Sequence, residues 1–226
     1  RAAGRLADLR VQGTLVSASG LTADLDIQLD PDGGVSVAIE SFIDGKEGVR
    51  ALAETLAGWP DLLTVDSGNA RLSMEFSTGD GGELEASGNA QLQDVGGVFN
   101  RTAVSGLSGR VRGSLENSQM TASFRDMTVG EINPGIPVGS VRFSGDYNAP
   151  VTELLAGSLE VQQARARFLE GALRIPPAVY GLEGGSGRIP VDVEGISLGR
   201  LMAVYPAEGL SGSGLLRGRI PLGISS

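Results

Sequence analysis

The chain has 226 residues, with no histidine, no cysteine, a single lysine and a net charge of −9 at pH 7. These features exclude imidazole acid–base chemistry, thiol nucleophiles and metal sites of thiolate or imidazole, and they argue against nucleic-acid binding, which needs a basic surface. Glycine accounts for 35 residues and aromatic residues for only 4%, which indicates many turns and short strands with a core of Leu, Val, Ile and Ala.

The first strong pattern is a β-hairpin. Residues 21–29 alternate, with Leu25 and Ile27 on one face and Asp24 and Asp26 on the other. Residues 30–34 have turn composition, and residues 35–39 resume the alternation. Two alternating runs joined by a turn predict a pair of antiparallel strands.

Two short helices interrupt the strand pattern. Residues 46–57 have apolar residues at helical spacing and are followed by Gly58 and Pro60, which end helices. Residues 198–204 form the second predicted helix, with Ser197 as its N-cap.

Strand patterns fill the remaining chain, at residues 70–76, 84–92, 111–115, 120–124, 141–147, 159–168, 189–193 and 216–222. The apolar phase shifts near Gln163, which predicts a β-bulge, and Pro221 favours an edge position for the last strand. The order helix, loop, strand occurs at residues 46–76 and again at 197–222, which is typical of repeat-built sheets. We therefore predict a mostly β chain: an extended, curved, antiparallel sheet with two short helices, forming one unit over 1–226 with possible sub-units 1–147 and 148–226.

The carboxylates invite a catalytic interpretation. Asp24 and Asp26, with Asp30 and Asp32 close behind, fit a glycosidase pair or a Ca²⁺ site. They equally fit the solvated face of an amphipathic strand followed by an Asp-Pro-Asp-Gly turn, and we favour this simpler interpretation. With no other catalytic motif in the chain, we predict that the protein is not an enzyme and uses no cofactor or metal.

The apolar strand faces allow two interpretations. They can form the core between two packed sheets, or line an open, curved sheet whose concave face holds acyl chains. Periodicity does not separate these alternatives, but the low aromatic content and the many small inward residues favour the groove. The candidate lipid-groove residues are Leu25, Ile27, Val35, Val37, Leu72, Met74, Leu84, Val111, Leu115, Phe124, Val141, Phe143, Leu159 and Val161.

Several segments resemble a known family. Residues 157–160, 196–201 and 206–222, the last reading Pro-Ala-Glu-Gly-Leu-Ser-Gly-Ser-Gly-Leu-Leu-Arg-Gly-Arg-Ile-Pro-Leu, resemble the C-terminal region of the YdbH family. Residues 52–76, with Trp59-Pro60 and Asp66-Ser67-Gly68, are similar to another segment of that family. The YdbH family belongs to the AsmA-like group together with TamB and YhdP.

The resemblance implies a segment of a larger envelope protein. Members of this group form a long β-groove, called a β-taco, cross the periplasm from an N-terminal inner-membrane anchor, and are implicated in moving phospholipid to the outer membrane. The implied partners are phospholipids, the inner and outer membranes through regions outside this chain, and other envelope proteins.

Two other functions remain open at this point. One is an envelope assembly scaffold for outer-membrane proteins that uses exposed strand edges. The other is a carbohydrate-acting β-solenoid that uses Asp24 and Asp26, which would need an exposed polar cleft around these residues.

Overall fold

The computed structural model describes residues 9–30, 34–55, 62–78, 83–154, 156–182, 187–204 and 212–224. These residues form one antiparallel sheet of thirteen strands with two short α-helices. The first seven strands are β1 (Leu9–Val16), β2 (Thr22–Leu29), β3 (Val35–Asp44), β4 (Leu63–Thr78), β5 (Leu84–Phe99), β6 (Thr102–Glu116) and β7 (Gln119–Asn133). The others are β8 (Val138–Pro150), β9 (Ser158–Phe168), β10 (Gly171–Ile175), β11 (Ala178–Gly181), β12 (Gly187–Ser197) and β13 (Leu215–Ile224). The helices are α1 (Gly45–Thr55) and α2 (Leu198–Val204). The mostly β prediction with one curved, antiparallel sheet is confirmed.

The strands follow one another across the sheet in sequence order. The order runs from β1 to β10 and on to β12 and β13, while β10 and β11 both pair with β9 on either side of Pro176 and Pro177. Proline has no backbone N–H to give to the ladder, so this dipeptide divides what would otherwise be one strand. Each strand is thus held by its sequence neighbours, and the sheet grows along an axis perpendicular to its strands.

The strand connections form two distinct rims. The helix rim holds α1, α2 and the hairpin turns at residues 17–21, 100–101, 134–137 and 169–170. The turn rim, at the opposite strand ends, holds the β2–β3, β4–β5, β6–β7 and β8–β9 connections. Both helices therefore lie at the same rim of the sheet.

A line of bulges crosses the middle of the sheet. In β4–β5 the register shifts on either side of Ser67, where Gly68 has φ 91°, and in β5–β6 it shifts between Leu92 and Val95 around Asp94, whose φ is 52°. The backbone N–H of Asp94 donates to Ser108 Oγ at 2.9 Å. These bulges lie in consecutive strands and are next to each other in space.

The line continues through the following strands. Gly109 of β6 has φ 148° and lies against Asp126 of β7, whose φ is 53°. The β7–β8 register shifts there, and the β8–β9 register shifts between Ser144 and Gly145, opposite Gln162. A bulge bends its strand and increases the local twist. The adjacent register shifts in the five strand pairs from β4 to β9 therefore bend the sheet along this bulge line. The bulge predicted near Gln163 is confirmed to within one residue.

Helix α1 covers the sheet at the helix rim. Ile43, at the end of β3, is only 2% exposed, and a Cβ at Gly48 of α1 would lie 3.2 Å from Ile43 Cγ2. Ser19 Oγ, in the β1–β2 turn, donates to the Ala51 carbonyl at 3.0 Å. The backbone N–H of Arg200 donates to Ser197 Oγ at 3.3 Å, as expected of the N-cap predicted for α2.

The sequence predictions of strands correspond to β2 to β9, β12 and β13, and Pro221 lies on the edge strand β13. Strand β1 and the short strands β10 and β11 were not predicted, and β4 to β8 are longer than their alternation indicated. Most of the predicted turn at 30–34 lies outside the described residues.

Strand β1 is tied to β2 by polar contacts. Arg10 Nε and Gln12 Nε2 each donate to the Asp26 carboxylate at 2.9 Å, and Thr14 Oγ1 donates to Asp24 Oδ1 at 2.9 Å. The Arg10 and Gln12 hydrogen bonds lower the pKa of Asp26 to about 2.

Gly68→Ala should weaken the fold. An alanine Cβ would lie 2.4 Å from Val95 Cα in a backbone conformation with φ 91°, so we expect the free energy of unfolding in urea to fall by about 2 kcal/mol or more. Gly113→Ala is the matched control in β6, where the new Cβ meets only Thr121 O at 3.5 Å; its stability should stay equal or rise by up to about 1 kcal/mol. Equal effects of the two substitutions would contradict the role assigned to the bulge line.

The attachment of β1 should depend on pH. The pKa of Asp26 lies below its ordinary value of 3.8, so its contribution to stability is complete above pH 3.8 and is lost as the pH falls through about 2. Carboxyl ¹³C NMR should report this titration together with shifts of the β1 amides. In Asp26→Asn the β1 amides should show no transition in this window, whereas Glu75→Gln should leave it intact. A β1 transition that persists in Asp26→Asn would refute this assignment.

The apolar face as candidate functional site

Cross-strand register brings the candidate groove residues onto one face of the sheet. Ile27 pairs with Val37, Val37 with Phe76, Phe76 with Ala86 and Ala86 with Leu115. Directly opposed residues of an antiparallel pair point to the same face. A single chain of partners therefore carries this face from β2 to β6.

The same face continues through the second half of the chain. Val111 pairs with Phe124, Phe124 with Gly145 and Gly145 with Val161. The rings of Phe124 and Phe143 have centroids 5.8 Å apart and are tilted by 55°, within the distance range of favourable aromatic pairs.

All fourteen predicted groove residues belong to this face by their pairing: Leu25, Ile27, Val35, Val37, Leu72, Met74, Leu84, Val111, Leu115, Phe124, Val141, Phe143, Leu159 and Val161. Val161 is buried, Leu84 at the turn rim is 58% exposed, and the other twelve are half-buried. We call the surface between the two rims on this side the apolar trough.

Between the bulge line and the turn rim, the apolar trough is free of charge. Every Asp, Glu and Arg in this part of the described strands β2 to β9 occupies a position that pairs onto the opposite face. Residues such as Ala90, Gly113 and Ala122 supply the smaller positions among the larger side chains. The face is thus apolar along its length and uneven in depth.

Burial shows which way the sheet curves. Met127, Val161, Ile189 and Val191 of this face are between 2% and 8% exposed, although the described strands form one sheet with no second sheet packed on it. On a single sheet, such burial of four large side chains on one face indicates that the sheet curls toward that face. The two-sheet sandwich that the sequence allowed is therefore not the structure of the described residues.

The trough is less enclosed at its edge strands. Leu9, Val11 and Leu15 of β1 are 48–52% exposed, and Ile220 and Leu222 of β13 are 53% and 49% exposed. These β1 residues were missed in the sequence, although their alternation with Arg10, Gln12 and Thr14 is the same signal that identified β2.

A second segment covers the trough at the turn rim. The β8–β9 connection begins with a 3-10 turn at Val151–Glu153. Tyr147, whose partners Ala122 and Leu159 place it on the trough face, donates its hydroxyl hydrogen to the Leu154 carbonyl. Ala149 beside it is 1% exposed. This connection and α1 thus narrow the trough from opposite rims.

The opposite face is polar and carries the aspartates considered for catalysis. A shallow concavity of about 510 Å³ does surround Asp24 and Asp26, together with Glu40. The pKa of Asp26 is lowered to about 2 by Arg10 and Gln12, so this carboxylate cannot serve as the protonated acid of a glycosidase pair at neutral pH. The described residues contain no group of three or more acidic, histidine or cysteine side chains arranged to hold a metal ion.

Comparison with known protein families identifies a match. The family model described as "YdbH-like: Intermembrane phospholipid transport protein YdbH" matches residues 1–226, whereas neither a curated protein nor a solved structure matches significantly. The description of that family names transport of phospholipid and no enzymatic activity. Among the described residues, no helix combines the length and the apolar character needed to cross a membrane. The chain belongs to the YdbH-like family of intermembrane phospholipid transport proteins.

Proposed function

We propose that the apolar trough shelters phospholipid acyl chains as the lipids move between the inner and outer membranes. The observation that carries this proposal is the uncharged face shared in register by consecutive strands. The family's description as intermembrane phospholipid transporters supports it.

The dimensions of the trough suit an acyl chain. On the turn-rim side of the bulge line, residues 69–78 of β4 and 84–93 of β5 are continuous strand. Ten residues of strand extend about 33 Å, whereas an acyl chain fills one leaflet of a hydrocarbon core about 30 Å thick, or about 15 Å. The wall is therefore deep enough to cover an extended acyl chain lying along it.

The energetic reason for such a surface is the exposure of lipid tails to water. Each buried CH₂ group is worth about 0.8 kcal/mol, so a diacyl lipid with about 30 such groups would lose on the order of 20 kcal/mol of shelter in water. A continuous apolar surface removes most of this barrier. The charged headgroup stays in water at the rim, because burying it would cost far more than it gains.

In this proposal, a lipid moves along the trough between positions that offer its acyl chains similar apolar contacts. The face has no charged side chain between the bulge line and the turn rim that would hold a headgroup at one point. The fourteen groove residues act collectively in this proposal, each supplying apolar area. The proposed location is the periplasm, with attachment to the inner membrane and contact with the outer membrane made by regions outside residues 1–226.

The strand edges favour an envelope assembly scaffold as the second candidate. Strands β1 and β13 each have a neighbour on one side only within the described sheet, and they expose Leu9, Val11 and Ile220 by about half. Such edges can accept a strand from another protein. This function predicts a stoichiometric protein partner and does not require bound lipid.

A charge in the trough should expel lipid. In Val37→Glu the new carboxylate would face Ile27 and Phe76, and we expect co-purified phospholipid and fluorescent-lipid transfer between vesicles to fall about tenfold or more, because a charge among acyl chains costs several kcal/mol. Native mass spectrometry with lipid extraction measures the first quantity. Phe143→Asp should behave in the same way at the other end of the trough.

The control is Ser36→Glu, which adds the same charge one residue away on the polar face, opposite Gln28 and Ser77. It should keep wild-type lipid content and transfer, and the urea midpoints of all variants establish that each is folded. A wild-type chain without lipid that exchanges none with vesicles, or a folded Val37→Glu variant that carries lipid as well as wild type, would refute the proposal. A lipid-free chain with a stoichiometric protein bound at β1 or β13 would favour the scaffold.

A further inference from the structure

The face opposite the trough carries a row of three arginines. Arg142 of β8 is the direct cross-strand partner of Arg165 of β9, which is the partner of Arg174 of β10. All three side chains are exposed. Like charges placed directly opposite each other destabilise a sheet, so this arginine row costs stability unless an anion neutralises it.

A second arginine pair on the same face has carboxylate partners. Arg110 and Arg125 are also direct cross-strand partners. Arg110 forms an ion pair with Asp126, and Arg125 Nη2 donates to Asp146 Oδ1 at 2.6 Å. Arginines that lie side by side on this face are therefore neutralised locally where the fold supplies carboxylates.

The arginine row lacks such partners. Among the described residues, no hydrogen bond or ion pair reaches the guanidinium groups of Arg142, Arg165 or Arg174. The nearest carboxylate along the row is Asp192, the cross-strand partner of Arg174. Arg174 interacts with Asp192 through charge alone, because Asp192 Oδ1 accepts its hydrogen bond from Arg219 Nε at 2.6 Å. One carboxylate shared with Arg219 does not neutralise three arginines, so the row keeps a net positive charge.

A concavity of about 1040 Å³ lies beside the row. Its lining includes Arg142, Arg165 and Arg167, with the polar side chains of Ser140 and Gln163. A volume of this size accommodates a small molecule or a lipid headgroup.

Two carboxylates border the same concavity. Glu170 Oε1 accepts from Arg200 Nε at 2.7 Å, and Glu194 is the cross-strand partner of Arg217. Glu170 therefore has an arginine of its own, whereas Glu194 forms no ion pair among the described residues. The three arginines of the lining face this one unpaired carboxylate, so the lining keeps a net positive charge.

The charge of the whole chain does not explain this patch. The chain carries −9 overall, and carboxylates outnumber basic residues by more than two to one among the described residues up to 105. Arginines outnumber carboxylates in the described residues from 106 onward. The net negative charge of the chain repels anions. An anion that binds is therefore attracted by the local positive charge of this site.

We propose that the arginine row and the adjacent concavity bind a phosphate-bearing anion. Opposed side chains have Cβ atoms about 5 Å apart, so two neighbouring guanidinium groups can converge on one phosphate while the third binds a second. Arginine suits phosphate because its planar donors bind two oxygens at once. A lipid headgroup and a soluble phosphate compound share this chemistry. The site lies on the face opposite the trough and is independent of acyl-chain shelter.

The test uses the complete chain with two probes. Inorganic pyrophosphate, titrated by calorimetry, represents the soluble source. Vesicles of phosphatidylcholine with and without phosphatidylglycerol, tested by co-sedimentation at low and high salt, represent the lipid source. The variant is Arg142→Gln/Arg165→Gln, and the control Arg10→Gln/Arg50→Gln removes the same charge from two exposed arginines elsewhere, each with a carboxylate partner.

Wild type should bind at least one probe, and the double variant should bind it about a hundredfold more weakly, or about tenfold per arginine, as expected for charge-assisted hydrogen bonds. The control should bind as wild type. Pyrophosphate binding identifies a soluble ligand, and binding to phosphatidylglycerol vesicles alone identifies a headgroup. Binding of neither probe, or equal loss in variant and control, overturns the proposal.

Two further measurements distinguish a loss of anion binding at this site from unfolding and from a loss of lipid binding in the trough. The urea midpoint of Arg142→Gln/Arg165→Gln should equal or exceed that of wild type, because like charges are removed. The bound probe should raise the midpoint of wild type and of the control, but not that of this variant. Val37→Glu should keep anion binding while losing lipid, and the arginine variant should keep its lipid. Loss of anion binding in folded Val37→Glu would contradict an independent site.

Discussion

The structure depends on the antiparallel register that fixes which side chains share a face. Because opposed residues point the same way, the alternation of apolar and polar side chains in one strand is transmitted to the next by backbone hydrogen bonds. A register slip of one residue would expose the apolar side chains to water. In this chain the phase holds from β2 through β9, so that Ile27 and Val161 belong to one surface although they are far apart in sequence. The trough is therefore a product of pairing more than of any single side chain.

The bulge line is the second constraint. An extra residue in one strand reverses the faces beyond it, so an isolated bulge would break the apolar surface. Here the shifts at Gly68, Asp94, Gly109 and Asp126 lie side by side, and neighbouring strands change phase together. The surface stays apolar across the bend, and the sheet gains curvature without a second layer. Glycine and aspartate suit these positions because both tolerate positive φ at modest cost.

Much of this could be predicted from the sequence, because alternation records burial directly. The hairpin of β2 and β3, the two helices and the shared face of the fourteen apolar residues follow from apolar spacing alone. The bulge line was missed except near Gln163, yet its signal is present: apolar residues run through Ala90 and Leu92, then continue at Val95 and Gly97. The arginine row could not be predicted, because Arg142, Arg165 and Arg174 become neighbours only through pairing across three strands. The choice between an open sheet and a sandwich also needed the structure, since both bury the same alternating face.

Because the strands follow one another in sequence order across the sheet, the length of the sheet is set by the number of strands. Twelve strands follow one another from β1 to β13, and each step advances about 4.8 Å, which gives a span of roughly 50 Å. Adding or removing one hairpin between neighbours would change that span by about 10 Å while leaving the cross-section intact. The gain or loss of hairpins can thus adjust the length of such a protein to compartments of different width in discrete increments.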